Sequence, residues 1–459
     1  MNGFMDNQKP LRVLMFPWLG YGHISPFLEL AKKLSQRNFT IYLCSTPINL
    51  SSIKKNLSPE FSPSIQFLEL NLQTLPNLPP CHHTTNGLPP HLMNTLKEAF
   101  DLASPDFTLI LKTLKPDLLI YDFLQPWAPK AAAELKIPAV EFISSSATMT
   151  SYMLHVFNNP GIKFPFSSIC YRDYEMARIE KDESSMPVEK LEEDKKRVRD
   201  CFYLSSDLVL IKSFKEIEGK YSDYITNLTG KKVVPLGPLV QEPTIDDGES
   251  ELITWLNEKE EKSTIFVSFG SEYFLSKEDL LEIAYGLEKS KVNFIWPIRF
   301  QKGEDLELEE ALPKGFFNRV GNRGNVFKGW APQAKILEHS SIGGFVSHCG
   351  WSSVMESMKY GVPIIAMPMH IDQPVNSRLV EEVGIAVEVV RDSNAKLHRE
   401  EVAAIINQVV VEKDGEFVRQ KARDMKEMLR SKGDEEIEEV AKELEKLCAK
   451  KTHCSIEAL

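Results

Sequence analysis

A chain of 459 residues that is 42% hydrophobic and 26% charged is too long for one ordinary core and apolar enough for two. Its formal net charge of −11, with no basic block, disfavours a nucleic-acid or anionic-membrane partner. No stretch reaches the roughly eighteen apolar residues of a membrane span.

Met1–Pro10 lacks the basic-then-apolar layout of a signal peptide, and the seven cysteines are scattered without a C-x-x-C pair. Both features lead us to expect reduced thiols and a cytoplasmic location.

In chain order, Leu11–Pro17 reads as a strand, Pro26–Leu34 as a helix, Phe39–Cys44 as a second strand, and Asp117–Tyr121 and Pro138–Phe142 as later strands. Strands alternating with helices mean crossover connections and a parallel sheet. The charged stretch 179–199 reads as solvated surface. Residues 235–250 are rich in Pro, Gly and acidic side chains and read as a linker, after which the alternation restarts. Strands are expected at Thr264–Phe269, Asn293–Ile298, Asn325–Lys328, Gly343–Val346 and Pro363–Ala366, with Pro297 bulging or ending its strand. Helices are expected at Lys277–Lys289, Gly350–Lys359 and along Gly415–Lys446. The expected division is an N-terminal Rossmann-like domain over 1–240, a linker over 241–250, a C-terminal Rossmann-like domain over 251–440, and a last helix over 441–459 returning to the first domain. Two such α/β halves would form a cleft between the carboxyl ends of their sheets, where open α/β folds bind ligands.

The most informative segment runs from Trp330 to Gln373: W-A-P-Q-A-K-I-L-E-H-S-S-I-G-G-F-V-S-H-C-G-W-S-S-V-M-E-S-M-K-Y-G-V-P-I-I-A-M-P-M-H-I-D-Q. Here a strand ends at H-C-G-W-S-S and a helix begins. A helix start supplies backbone N–H donors and about half a positive charge, which suits a diphosphate. His348, Ser352 and Ser353 add side-chain donors. Glu356, one turn on, is placed for a ribose diol. Asp372 and Gln373 are placed for sugar hydroxyls, and Trp330 offers a flat face for a base. There is no G-x-x-x-x-G-K-[ST] and no G-x-G-x-x-G after the first strand, which argues against an ATPase and a dinucleotide oxidoreductase.

Transfer of a bound sugar to a hydroxyl acceptor would need a base as well. The first strand runs into W-L-G-Y-G-H-I-S-P, placing His23 in the loop at its carboxyl end, and Asp122 follows strand Asp117–Tyr121. His23 is expected to take the acceptor proton while Asp122 fixes its tautomer. Trp18, Tyr21, Phe123, Gln125 and Trp127, near this pair, are the acceptor-binding candidates, together with the loop 81–90.

The Trp330–Gln373 segment closely resembles, over its whole length, the signature box of plant family-one UDP-sugar glycosyltransferases. That resemblance implies the GT-B fold, α/β with two Rossmann-like domains facing across a cleft, and transfer with inversion and without a metal. It implies that Trp330 stacks the uracil and Ala331 binds it through its backbone. It puts Gln333 near the nucleoside, Glu356 on the ribose, and His348, Ser352, Ser353 and Ser271 on the diphosphate. Trp351, Asp372 and Gln373 would contact the sugar, and the terminal glutamine favours UDP-glucose as donor. Ser352 stands where the family usually has asparagine; a hydroxyl still donates to phosphate, so binding with altered affinity is expected. F-P-W-L-G-Y-G-H-I-S-P-F, C-S-T-P-I-N-L and S-F-G-S-E-Y-F-L-S resemble a sub-branch that extends sugars already attached to a flavonoid or terpenoid. The expectation is a monomeric glucosyltransferase acting on a glycoside. Glucosylation of a bare aglycone, a UDP-sugar epimerase and a non-catalytic UDP-sugar binder remain as alternatives. Asp246-Asp247, in the linker, reads as solvated rather than metal-binding.

Overall fold

The structure is a computed structural model that describes residues 9–54, 57–243, 251–270, 273–300 and 306–456, with side chains to Lys450. It divides into two compact units. The first comprises Met1–Ala147, Val188–Leu239 and the chain from Asp434 onward; the second comprises Thr148–Pro187 and Val240–Gly433.

The first unit is built on seven parallel strands: β1 (Leu11–Phe16), β2 (Phe39–Ser45), β3 (Ile65–Glu69), β4 (Leu118–Tyr121), β5 (Ala139–Ile143), β6 (Leu208–Ile211) and β7 (Lys232–Pro235). Their order is β3-β2-β1-β4-β5-β6-β7. The inner strands are mostly apolar, β4 and β6 without interruption, because both faces of the sheet are covered. One face carries Val13, Met15, Phe27, Ile41, Ile120 and Phe142. The other carries Leu14, Phe16, Phe100, Phe107 and Tyr121. Helix Glu435–Ile456 lays Ile437, Val440, Ala441 and Leu444 into the first of these faces, so the end of the chain packs into the unit that its beginning builds. This helix is separate from Glu416–Lys432, so the expected single helix over 415–446 breaks at Gly433 and Asp434.

The second unit has six parallel strands: β8 (Thr264–Ser268), β9 (Asn293–Ile298), β10 (Gly324–Lys328), β11 (Ile342–Ser347), β12 (Ile364–Ala366) and β13 (Ala386–Glu388). The order is β10-β9-β8-β11-β12-β13. Pro297 neither ends nor bulges β9. The pairing with β8 stops at Ile295, so the imide nitrogen falls where only β10 runs alongside.

Two further expectations differ from the structure. The stretch 179–199 is not simply solvated: it folds within helices Asp173–Ser184 and Val188–Leu204, and Arg197 is buried on Asp101. Thr148–Pro187, assigned by sequence to the first domain, clusters with the second unit, where its buried Glu175 pairs with Arg378. Residues 244–250 of the expected linker, including Asp246 and Asp247, lie outside the described residues.

Candidate active site

In an open parallel sheet the ligand crevice lies at the carboxyl ends of the strands where the strand order reverses, because neighbouring crossovers depart to opposite faces there. The first sheet reverses between β1 and β4, and these strands are followed by His23 and Asp122. The second reverses between β8 and β11, and β11 is followed by His348, Cys349 and Gly350. Ser271, which follows β8, lies outside the described residues.

In the first unit His23 is not in the loop but in the first turn of helix Tyr21–Ser35. Its Nδ1 lies 3.0 Å from Asp122 Oδ2. Asp122 is fully buried and its position is over-determined: Oδ2 also accepts the Trp18 N–H at 2.9 Å, and Oδ1 accepts the Phe123 N–H at 2.8 Å. A carboxylate held by two backbone donors cannot rotate away, so it fixes the plane and tautomer of the imidazole. Ser144, at the end of β5, adds a hydroxyl 3.1 Å from the same Nδ1, and sequence reasoning missed it. The only signal available was a serine following a strand.

The five acceptor candidates separate by burial. Phe123 lies flat on the imidazole, with centroids 5.1 Å apart and planes 13° apart, and Tyr21 is exposed at the helix start. The other three are engaged in packing. Trp18 is buried edge-on to Phe100, Gln125 donates to the Phe16 carbonyl at 2.7 Å, and Trp127 sits among Phe16, Phe100 and Phe107 with its indole N–H on Asp101 at 2.8 Å. The loop 81–90 joins the His23 turn through Thr85 N–H to Leu19 O at 3.1 Å, and its residues Cys81 and His83 line a cavity of about 340 Å³ with Pro47, Ile48, Asn71, Leu72 and Pro80.

In the second unit helix Trp351–Tyr360 starts at Gly350, and its first internal bond is Val354 N–H to Gly350 O at 3.1 Å. The N–H groups of Trp351, Ser352 and Ser353 precede that bond and form the positive end of the helix. Cys349, just before it, takes φ 63, a strained geometry of the kind that clusters at ligand loops. His348 is buried, and burial pushes its pKa down to about 4, so at neutral pH the ring offers a hydrogen bond and not a charge. It is seated between glycines: a Cβ on Gly270 or Gly350 would come within 2.6 or 2.5 Å of its Nε2.

Trp330 is 64% exposed, as a stacking platform must be, while Ala331 beside it is buried. Gln333 donates to Ser353 Oγ at 3.0 Å and to Glu356 Oε2 at 2.5 Å, so it orients the carboxylate assigned to the ribose. The Trp351 side chain is buried, and its backbone N–H is one of those at the helix start. Asp372 and Gln373 open helix Gln373–Val383 after β12. Gln373 Oε1 accepts the N–H groups of Met369 and His370 at 3.0 and 3.1 Å, and Asn376 Nδ2 donates to both Asp372 Oδ2 (2.9 Å) and Cys349 O (3.0 Å). Asn376 thereby ties the loop at Cys349 to the turn at Asp372, a link that spacing alone does not reveal.

Among the described residues no group of three or more His, Cys, Asp or Glu side chains is placed to hold a metal ion, and no helix is long and apolar enough to cross a membrane.

Comparison with known proteins agrees with this geometry. Residues 9–241 match the family described as "Glycosyltransferase, N-terminal domain", and residues 242–416 match "UDP-glucoronosyl and UDP-glucosyl transferase". Mogroside IIIx synthase of Siraitia grosvenorii is 55% identical over 94% of this chain and 92% of its own length. The β-D-glucosyl crocetin β-1,6-glucosyltransferase of Gardenia jasminoides is 50% identical over 96% of this chain and 100% of its own. A solved Glycyrrhiza uralensis structure in complex with glycyrrhetinic acid 3-O-monoglucuronide superimposes with a TM-score of 0.84 at 24% identity, covering 98% of each chain, and gives the fold as GT-B. With two parallel sheets that reverse strand order and matches along nearly its full length, the chain belongs to the plant UDP-sugar-dependent glycosyltransferases and is a UDP-glycosyltransferase.

Proposed function

We propose that this enzyme transfers glucose from UDP-glucose to a sugar hydroxyl of a flavonoid or terpenoid glycoside, with inversion at the anomeric carbon and His23 as base. The observation that carries the chemistry is the 3.0 Å contact of His23 Nδ1 with a buried, doubly anchored Asp122. With Nδ1 donating to the carboxylate, Nε2 is the basic nitrogen. The acceptor oxygen attacks the anomeric carbon from the face opposite UDP, its proton passes to Nε2, and the carbon–oxygen bond to the β-phosphate breaks with its electron pair leaving on UDP. Asp122 stabilises the imidazolium that forms. Charge growing on the diphosphate is met by the helix start at Trp351–Ser353, with His348 donating as a neutral ring. Trp330 and Ala331 take the uracil, Glu356 the ribose, and Asp372 and Gln373 the sugar.

The glycoside acceptor is supported by relatives at least 50% identical, one named as a mogroside IIIx synthase and one as a glucosyltransferase acting on β-D-glucosyl crocetin. The reading includes a cytoplasmic monomer whose transfer needs no metal. The test is UDP release measured for UDP-glucose and other UDP-sugars, each with matched aglycone and monoglucoside acceptors, with and without EDTA. UDP-glucose with the monoglucoside should give the highest kcat/KM and be insensitive to EDTA. Faster turnover of the aglycone, or loss of activity with the chelator, overturns the corresponding part.

A further inference from the structure

Thr148–Pro187 precedes β6 in the chain yet belongs to the second unit, and two of its hydrogen bonds fall on the turn between β12 and helix Gln373–Val383. Tyr171 Oη donates to the Ile371 carbonyl at 3.2 Å, and Arg178 Nη1 donates to the Met369 carbonyl at 2.8 Å. The N–H side of the same turn is held by Gln373 Oε1, which accepts from Met369 and His370. Ile371 takes φ 58, which a β-branched residue adopts only when its surroundings impose it.

The helix that carries Tyr171 and Arg178, or flanks them, is itself anchored. Arg378 Nη2 binds both oxygens of Glu175 at 2.8 and 2.9 Å, its Nη1 binds Glu388, and Arg172 binds Glu388 from the other side. Arg378, Glu175 and the Glu388 carboxylate are buried, so the pairing is shielded from water and geometrically exacting.

We propose that Tyr171 and Arg178 are positioning residues for the donor sugar. They hold the carbonyl side of the Met369–Asp372 turn, Gln373 holds its amide side, and together they set where Asp372 and Gln373 present their polar atoms. Recognition of the sugar is thus partly encoded in the first half of the chain. This rests on the reading that Asp372 and Gln373 contact the sugar.

The experiment compares dissociation constants of UDP-glucose and of UDP, which lacks the sugar, by calorimetry on the full-length protein. The variants are Tyr171→Phe, Arg178→Met, Arg178→Lys and Gln373→Ala. Arg178 is exposed, and Tyr171→Phe deletes one hydroxyl, so folding is kept. Tyr171→Phe and Arg178→Met should each weaken UDP-glucose by about fivefold, the loss of one ordinary hydrogen bond, with UDP unchanged. Arg178→Lys, which can still donate, should restore most of the affinity. If Gln373→Ala weakens UDP-glucose and the other variants do not, the bracing role is overturned and the sugar site stands. If UDP weakens in step with UDP-glucose, the effect is general loosening and the proposal also falls. If Gln373→Ala itself leaves UDP-glucose unaffected, the reading of the sugar site falls and takes the proposal with it.

Discussion

Asp122→Asn isolates the electrostatic part of the proposed catalysis, because it keeps the shape and removes the charge. Asp122 receives three donors: the Trp18 N–H and His23 Nδ1 on Oδ2, and the Phe123 N–H on Oδ1. An asparagine can satisfy only one side. With its oxygen toward Phe123, its NH2 group meets the Trp18 N–H and turns His23 into the tautomer whose Nε2 carries the proton, which cannot act as base. With its oxygen toward His23 the tautomer survives, but the NH2 group opposes the Phe123 N–H. Either orientation sets a buried donor against a donor, at about 1–3 kcal/mol of stability. For catalysis the lost term is the attraction between imidazolium and carboxylate. At about 4 Å between charge centres and an effective dielectric constant near 20 it is about 4 kcal/mol, or roughly three decades in rate. The variant should therefore melt at a lower temperature and lose about a thousandfold in kcat by UDP release. It should bind UDP-glucose as before, since Asp122 lies in the first unit and the proposed donor residues in the second. Adding His23→Ala should cost little more, because the pair acts as one device. A folded Asp122→Asn protein that keeps kcat within tenfold of the parent would refute the base assignment.

Two other expectations follow from single residues. Trp330→Ala removes the exposed indole proposed as the uracil platform and should weaken UDP by about 1–3 kcal/mol, roughly fivefold to 150-fold by titration, while thermal stability is kept. An unchanged UDP affinity would take the base-stacking role from Trp330. Glu141, on β5, is buried with Oε2 unpartnered, and burial, reinforced by Asp122, raises its pKa well above 4.5. A raised folded-state pKa means that its contribution is fully present below pH 4.5 and is lost as pH rises towards the folded value. Glu141→Gln has no such loss, so its melting temperature should gain on the parent progressively from pH 5 to pH 8. A constant difference across that range would show that Glu141 ionises in the native protein as it does in the unfolded chain.

How much of this was legible in the sequence depends on how local the determining interactions are. The proposed donor residues, Ser271 apart, lie on one contiguous segment, and a strand, a glycine turn and a helix start are readable from consecutive residues. The His23–Asp122 pair spans 99 positions. It was still reachable, because both residues follow strands and strand carboxyl ends are where α/β sheets bind ligands. That His23 sits inside the helix was not foreseen: Pro26, within Tyr21–Ser35, reads as a helix start in sequence, whereas the helix accommodates it in its second turn. Acceptor candidates were the least legible. An aromatic after a strand looks the same whether it faces solvent or, like Trp127, closes a cluster with three phenylalanines from distant elements.

The placement of Thr148–Pro187 was hidden for a more general reason. A domain boundary is read from composition along the chain, and the Pro/Gly/acidic shift that reads as a linker comes near residue 240. What places the segment in the second unit is a set of pairings across about 200 positions: Glu175 with Arg378, Arg172 with Glu388, and Tyr171 with the Ile371 carbonyl. Arg172 and Glu175 lie just before the charged stretch 179–199, whose composition is that of a solvated surface helix. Composition reports how many charges a segment carries; only partners decide whether those charges face water. A buried Arg–Glu cluster tolerates little change in geometry, since removing one member leaves a desolvated charge. It therefore fixes the orientation of helix Gln373–Val383 more stringently than apolar packing of the same area would. Exchanging residues 1–240 between relatives would separate Glu175 and Arg172 from the partners they were matched to, whereas exchanging 148–187 together with 240–433 would keep the donor turn and its anchors intact.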